Sequence, residues 1–336
     1  MRYQDAGVDP ERKARFIGEL RGRFEATHGA DVSGGIGGFG GVYRVPSVDG
    51  HLVATADGVG TKVLIARELG RDGGVARDLV HHCVNDCLAA GASPLFFLDY
   101  VAFGALDAAC FRAVVEGLVG ACRAHGIALL GGETAEMPDV YVGGAYDLVG
   151  FLVGFAKPGA LFDRAGVATG DAILGLPSAG LHTNGFSLVR RIVRDRALDL
   201  GRSYGGLDAT LGHVLLAEHR SYAAEVAGLR ERFDVRGIAH ITGGGLPENL
   251  PRALPPGRRA RLSRSAWPEP ALFRFLAREG QVPEDDALRA WNWGIGLAVI
   301  VPAAEADAAL AWLAAGGHGG WRIGVVEDGD GGVVFS

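Results

Sequence analysis

Apolar positions along the first half of the chain switch repeatedly between the two periods that distinguish strands from helices. HLVATA (51–56) reads as a strand, TKVLIARELG as a short helix, VARDLVHHCVNDCLAAGA as a longer helix and LFFLDYVAF as a strand. CFRAVVEGLVGACRAHG then reads as a helix, IALLGG as a buried strand, and YDLVGFLVGFA as a strand rich in Val, Leu and Phe, residues that suit a pleated, half-buried surface. Ahead of these, Phe16, Ile17, Leu20 and Phe24 are spaced like one face of a helix, and a glycine-rich segment follows.

Turn residues interrupt the pattern at DRAGVATGD (163–171), before the fresh strand DAILGLP. This break predicts two domains, 1–167 and 168–336. The second half predicts helices at 185–197, 214–229, 270–279 and 303–315, and one opened by GGGLPENL. It predicts strands at 237–241, 259–262, 294–301 and 321–326. Strands and helices interleave without a strict βαβ rhythm and without a short internal repeat, so the expected fold class is α+β, mixed rather than doubly wound.

The length of 336 residues agrees with two domains, and two lobes imply a cleft. Glycine is abundant, 54 residues, and clusters where loops are expected, which implies many close backbone approaches. A net charge of -6 excludes a whole-protein field that would attract nucleic acid or an anionic membrane, so any phosphate site must be local. The four cysteines, Cys83, Cys87, Cys110 and Cys122, fall in helical patterns without a C-x-x-C pair, as in a reducing compartment. No apolar leader and no 18-residue apolar run is present, so the expected location is the cytosol.

Four segments carry candidate chemistry. DGVGTK places Asp57, Gly58, Thr61 and Lys62 between a strand and a helix: a carboxylate for a metal, bare backbone for close approach, and an ammonium for phosphate oxygens. It lacks P-loop spacing, and taken alone it is more often a plain turn. Asn85 and Asp86 interrupt an apolar helix, where a carboxylate needs a cation or a hydrogen bond; the neighbouring His81 and His82 read as surface or packing histidines. GGETAEMPDVY (131–141) follows an apolar strand and offers Gly131, Gly132, Glu133 and Glu136. The loop 34–45, with Gly37, Gly38 and Gly40, could lay amides along a triphosphate. In the second half, SAGLHTNG offers Ser178, His182, Thr183 and Asn184, and Gly243, Gly244 and Gly245 precede a helix whose N-terminus suits a phosphomonoester.

Taken together, YQDAGVD, GGFGGVYRVP, TADGVGTK, VNDCLAAGASPLFFLDY, GGETAEMPDVY, YDLVGFLVG, SAGLHTNGFSLVR and AHITGGGLPENLPRALP resemble the aminoimidazole ribonucleotide synthetase family, in its order and over nearly the whole chain. The resemblance implies a homodimer whose N-terminal sheets join into a barrel, with ATP and magnesium (Mg2+) near the interface. It implies ATP-dependent ring closure of formylglycinamidine ribonucleotide through a phosphorylated amide oxygen. Asp57, Asp86 and Glu133 would hold magnesium, Lys62 would meet ATP phosphates, and Gly243 to Gly245 would hold the substrate phosphate. His182 and Asn184 would orient the substrate amide or take a proton.

The chain departs from the family pattern at Gln4, at Arg21, in LLAEHRSY (215–222), which replaces the proline and threonine of L-x-P-T-R-x-Y, and in WNWGIGL (291–297). These departures bear on substrate fit rather than fold. Related chemistries fit less well. A selenophosphate synthetase needs a reactive cysteine near the start, and the first 82 residues have none; a carbamoyl dehydratase ends in cysteine, and this chain ends VVFS. A thiamine monophosphate kinase is expected to pair aspartates where DGVGTK stands. The non-enzymatic alternative is a catalytically silent, nucleotide-binding homodimer.

Overall fold

The computed structural model describes residues 30–33, 41–45, 48–142 and 144–336. The amphipathic stretch at 16–24, Gln4, Arg21 and the glycines Gly37, Gly38 and Gly40 lie outside them.

Six strands form a first sheet in the order β1-β2-β3-β6-β4-β5. They are β1 (Val32–Ser33), β2 (Gly41–Arg44), β3 (His51–Gly58), β4 (Ser93–Phe103), β5 (Ala128–Glu136) and β6 (Tyr146–Ala156). The central strand β6 runs antiparallel to both β3 and β4, whereas β4 and β5 are parallel and therefore need a crossover. Helices α1 (Lys62–Glu68), α2 (Asp72–Ala89) and α3 (Ala108–Ala124) accompany this sheet. Asp107 caps α3 by accepting from the amides of Ala109 and Cys110.

The second sheet has the order β12-β9-β11-β7-β10-β8. Its strands are β7 (Ala172–Pro177), β8 (Gly237–His240), β9 (Arg258–Leu262), β10 (Ile295–Val301), β11 (Trp321–Asp328) and β12 (Val333–Phe335). The central β10 is buried at every position, as its unbroken IGLAVIV run requires. Helices α4 (Phe186–Asp195), α5 (Leu211–Leu215), α6 (Ala223–Arg232), α7 (Gly245–Asn249), α8 (Ala271–Gly280), α9 (Glu284–Ala290) and α10 (Ala306–Ala315) complete this half. The fold is α+β, as the pattern predicts.

Three local expectations need correction. The helix expected at 214–229 is two helices, α5 and α6, because AEHRSY (217–222) is a loop in which His219 and Tyr222 are buried and the backbone at 219, 220 and 222 bonds to Asp78 and Asn85. GGETAE is not a strand end opening into a loop: β5 continues through Glu136, paired to β4. Within the glycine-rich loop, Gly41–Arg44 pairs with β3 as β2. The strand β12 and the helix α9 carry too little periodicity to be seen in sequence.

Helix α2 is buried nearly all round, which places it at the centre of the molecule rather than on its surface. One side rests on the first sheet, where Cys87 Sγ fills the space a side chain at Gly154 would need. A second side meets α3 at glycines: a Cβ on Gly117 would sit 2.3 Å from the Gly73 carbonyl oxygen. Gly117→Val therefore forces the two backbones apart and is expected to cost about 2–3 kcal/mol, read as a lower urea midpoint. Gly120→Ala on the same helix meets nothing within 4 Å. It should hold or raise stability by up to about 1 kcal/mol, and equal losses in both variants would refute the close-packing account.

Candidate functional site

The third side of α2 carries Asp78, His82, Asn85 and Asp86, spaced 4, 3 and 1 apart and so on one helical face. Each meets the second half of the chain. Asp78 accepts from the His219 amide (2.7 Å). His82 Nδ1 lies 2.7 Å from Thr183 Oγ1. Asn85 donates to the Arg220 carbonyl (2.9 Å) and accepts from the Tyr222 amide (3.0 Å). Asp86 accepts from His240 Nδ1 (2.8 Å).

At the end of β3, Asp57 is partly buried and meets the same helix: His82 Nε2 donates to Asp57 Oδ2 at 2.8 Å, and the Gly58 amide donates to Oδ1 at 2.8 Å. Asp86 Oδ2 is 3.7 Å from that His82 nitrogen. The two carboxylates expected to share a metal are thus brought together around one imidazole. Burial alone would raise the Asp57 carboxyl, but the charge and hydrogen bond of His82 and the Gly58 amide outweigh it and hold it at about 2. Burial likewise opposes charging His82, and Asp57 and Asp86 overcome this, raising it to about 9. The expectation that His82 merely packs is corrected: it sits between two carboxylates, 2.8 Å from Asp57 Oδ2 and 3.7 Å from Asp86 Oδ2.

Behind it lie His182, His219 and His240, all fully buried. His182 stacks on His219, with ring centroids 4.0 Å apart. His219 Nε2 and His240 Nε2 are 3.1 Å apart. Burial holds His182 and His219 well below the ordinary imidazole range, and lowers His240 despite its bond to Asp86. His182 adopts a positive φ of 59°, strained for a residue with a Cβ, and its Nδ1 has no hydrogen-bond partner among the described residues.

Other expected site residues are placed differently. The Lys62 ammonium, expected to meet phosphate, is sealed: it pairs with Asp78 Oδ2 (2.6 Å) and donates to the carbonyls of His182 (2.8 Å) and Ala217 (3.0 Å). Its three donors are matched by three buried acceptors, so nothing is left for a phosphate. Glu133 does not join Asp57 and Asp86. It is exposed on the edge strand β5, and the register Asp57, Gly150, Asp99, Gly132 places it three strand spacings away, about 14 Å. Gly131 and Gly132 lie on the same edge, where a Cβ on Gly132 would strike the Asp99 carbonyl.

In the glycine turn, the Gly244 amide already donates to the Arg289 carbonyl and the Gly245 amide to that of Thr242, both at 3.0 Å. Two of the three amides expected to hold a phosphate are therefore engaged. Gly245 is there for packing, since a Cβ would come 1.9 Å from the Leu288 carbonyl oxygen. Gly243 faces Asn184, whose Oδ1 would lie 3.2 Å from an added Cβ, and Asn184 is partly exposed. His182, by contrast, is 1 % exposed and faces inward. Thr61 Oγ1 is 3.2 Å from Ser187 Oγ and lines a cleft of about 700 Å³ with Glu68, Arg190, Arg191 and Arg194.

Sequence reasoning missed Asp78, His82, His219, His240 and Arg252. The helical spacing of Asp78, His82 and Asp86 was the available signal for the first two. His219 stands in the LLAEHRSY departure, and only the fold brings it to α2. Arg252, largely buried, donates to Asn249 Oδ1 (3.1 Å), and burial lowers its guanidinium while Asp86 and Asp57 act to raise it.

The Asp57–His82 pair fixes a pH dependence. The folded value of His82 lies above the ordinary 6.5, so its contribution is complete below about 6.5 and is lost as pH rises through about 9. Asp57 lies below its ordinary value, so on the acid side the same interaction is lost only as pH falls towards about 2. In magnesium-free buffer, His82→Gln should lower the melting temperature most near pH 6 and by little above about pH 9.5. A difference that stays constant from about pH 6 to 10 would show that His82 is not charged in the folded protein.

Residues 37–156 match the family description "AIR synthase related protein, N-terminal domain" and residues 168–336 match "AIR synthase related protein, C-terminal domain". A protein of Gloeobacter violaceus named phosphoribosylformylglycinamidine cyclo-ligase is 48% identical over 331 residues, covering 98% of each chain. One of the same name from Synechococcus sp. (strain CC9605) is 46% identical over 329 residues, covering 97% of this chain and 95% of its own. Among solved structures, the thiamine-monophosphate kinase of Stenotrophomonas maltophilia matches with a TM-score of 0.63 at 21% identity, covering 96% of this chain and 95% of its own. The hydrogenase maturation protein HypE of E. coli matches with a TM-score of 0.63 at 20% identity, covering 96% and 93%. These two likenesses show the fold alone. The matches at both ends of the chain, with relatives nearly half identical over its full length, make it a member of the AIR synthase related family.

Proposed function

We propose that this chain is an ATP-dependent cyclo-ligase that closes formylglycinamidine ribonucleotide to aminoimidazole ribonucleotide, releasing ADP and phosphate. The observation that carries the reading is full-length identity of 46% to 48% to proteins of that name. The convergence of Asp57 and Asp86 supports it from the structure. In the reaction, ATP phosphorylates the formyl amide oxygen, an amidine nitrogen attacks the same carbon, and phosphate departs. Phosphorylation converts a poor leaving group into a good one, and tethering nucleophile and carbon in one molecule removes most of the entropic barrier.

Magnesium suits the carboxylates present. Asp57 is held ionised and partly exposed, and Asp86 Oδ2 faces the same space, so the hard oxygen donors that magnesium requires are there. Magnesium held by them would neutralise phosphate charge. Asn184, partly exposed beside Gly243, would hold the substrate amide, with His182 beneath it fixing its loop. Thr61 and the arginines of its cleft suit an anionic group of ATP or substrate. Asp57→Asn should lower turnover on the order of 10²-fold, with ADP and imidazole product falling together, and should lower the melting temperature near pH 6 as His82→Gln does while the protein stays folded at the assay temperature. ADP formation without imidazole product in the wild type would overturn this assignment in favour of another ATP-using reaction.

A homodimer completes the reading. The face of the first sheet turned away from α2 leaves Leu95 45%, Leu130 63% and Phe151 42% exposed, more apolar surface than strands of a lone subunit usually show. Glu133 lies exposed on the edge strand β5, three strand spacings from Asp57, so a magnesium role for it would require the partner subunit. Sedimentation should give twice the chain mass, and Phe151→Asp should shift it towards the monomer while the melting transition persists. A wild type that sediments as a monomer at micromolar concentration would remove the dimer from the proposal.

A further inference from the structure

We propose that His182, His219 and His240 form a binding site for one divalent transition-metal ion of the zinc class, separate from the carboxylate site proposed for magnesium. One nitrogen from each ring lies within 4.8 Å of the others, and all three side chains are buried. The hydrogen bonds around them fix the lone pair of His240. His240 Nδ1 donates to Asp86 Oδ1, which leaves Nε2 as the acceptor. The Asn85 amide is oriented by its donation to the Arg220 carbonyl and its acceptance from the Tyr222 amide, so its nitrogen, 3.3 Å from His219 Nε2, turns a donor towards that atom. His219 Nδ1 lies 3.4 Å from Thr183 Oγ1, so the proton of a neutral His219 can sit on either nitrogen.

His219 Nε2 and His240 Nε2 therefore face each other across 3.1 Å, bridged either by one proton or by one metal ion. The spacing fits a metal: two nitrogens bound to a tetrahedral zinc, each at about 2.0–2.1 Å, are about 3.3–3.4 Å apart. Asp86 supplies the carboxylate that orients a ligating histidine through its other nitrogen. His182 supplies a third imidazole, with Nδ1 buried and unpartnered; it would turn out of its stack on His219 to bind. Three imidazoles select zinc, cobalt, nickel or copper over magnesium. His219 belongs to the LLAEHRSY segment, where the resembled pattern has threonine instead, so the site arises from a feature of this chain.

The test uses the full chain with any affinity tag removed, stripped with chelator and titrated with Co(II). One equivalent per chain should bind, with the visible absorption bands of tetrahedral cobalt, displaced by Zn(II) and not by excess Mg(II). His219→Thr should weaken binding at least about 100-fold, while Asp57→Asn should bind as the wild type does, which separates this site from the magnesium proposal. Circular dichroism checks that His219→Thr is folded. If it is not, X-ray absorption of the zinc-loaded wild type decides, with imidazole scattering from three histidines expected. Absence of a stoichiometric cobalt site, or one unchanged in folded His219→Thr, would overturn the proposal and leave a shared proton between the two nitrogens.

Discussion

The structure depends on a polar stripe down one side of a helix that is buried nearly all round. Asp78, His82, Asn85 and Asp86 lie on α2, and a helix buried this fully must find a partner for every polar group it carries. Those partners come from residues 183, 219, 220, 222 and 240 and from Lys62. Apolar packing would hold α2 against the second half in many registers, because the hydrophobic effect is not directional. Hydrogen bonds of 2.7 to 3.0 Å tolerate one. The stripe thus fixes where β8, the loop 178–184 and the loop 217–222 stand relative to β3, and so where Asp57 stands relative to everything that could act with it.

Much of this was legible in the sequence, and the limits have physical reasons. Strands such as YDLVGFLVGFA and helices such as CFRAVVEGLVGACRA announce themselves because burial imposes a period, and their bounds agree closely with β6 and α3. Asp57 and Asp86 stood out because a carboxylate in apolar surroundings demands a reason. His219 and His240 did not, because each belongs to a different segment and a lone histidine has no period. Glu133 was misplaced by an argument about strand ends: glycines at 131 and 132 read as a break, whereas here they let β5 run close beside β4. What sequence cannot supply is the distance between two positions on one sheet, and that distance decides whether two carboxylates share a metal.

Lys62 shows how burial changes the meaning of a motif. Within DGVGTK its ammonium suggested a phosphate contact, yet the helix it opens turns the side chain inward, where it meets Asp78 and two carbonyls. A buried pair of this kind adds little over an apolar pair of the same shape, but breaking it leaves a stranded charge at a cost of about 3–5 kcal/mol. A phosphate could draw Lys62 away only by exceeding that cost, and two loop carbonyls would lose their donor as well. Lys62 is therefore a clasp: from α1 it holds the backbone at 182 and 217, the two loops that carry His182 and His219. Under the proposed reaction, the charge of the phosphates must then be met by other groups. A metal on Asp57 and Asp86 and the arginines of the Thr61 cleft are cations suited to that task. The motif keeps its importance, but it acts by fixing the walls of the site, and the charge chemistry passes to residues that only the folded chain brings to Asp57.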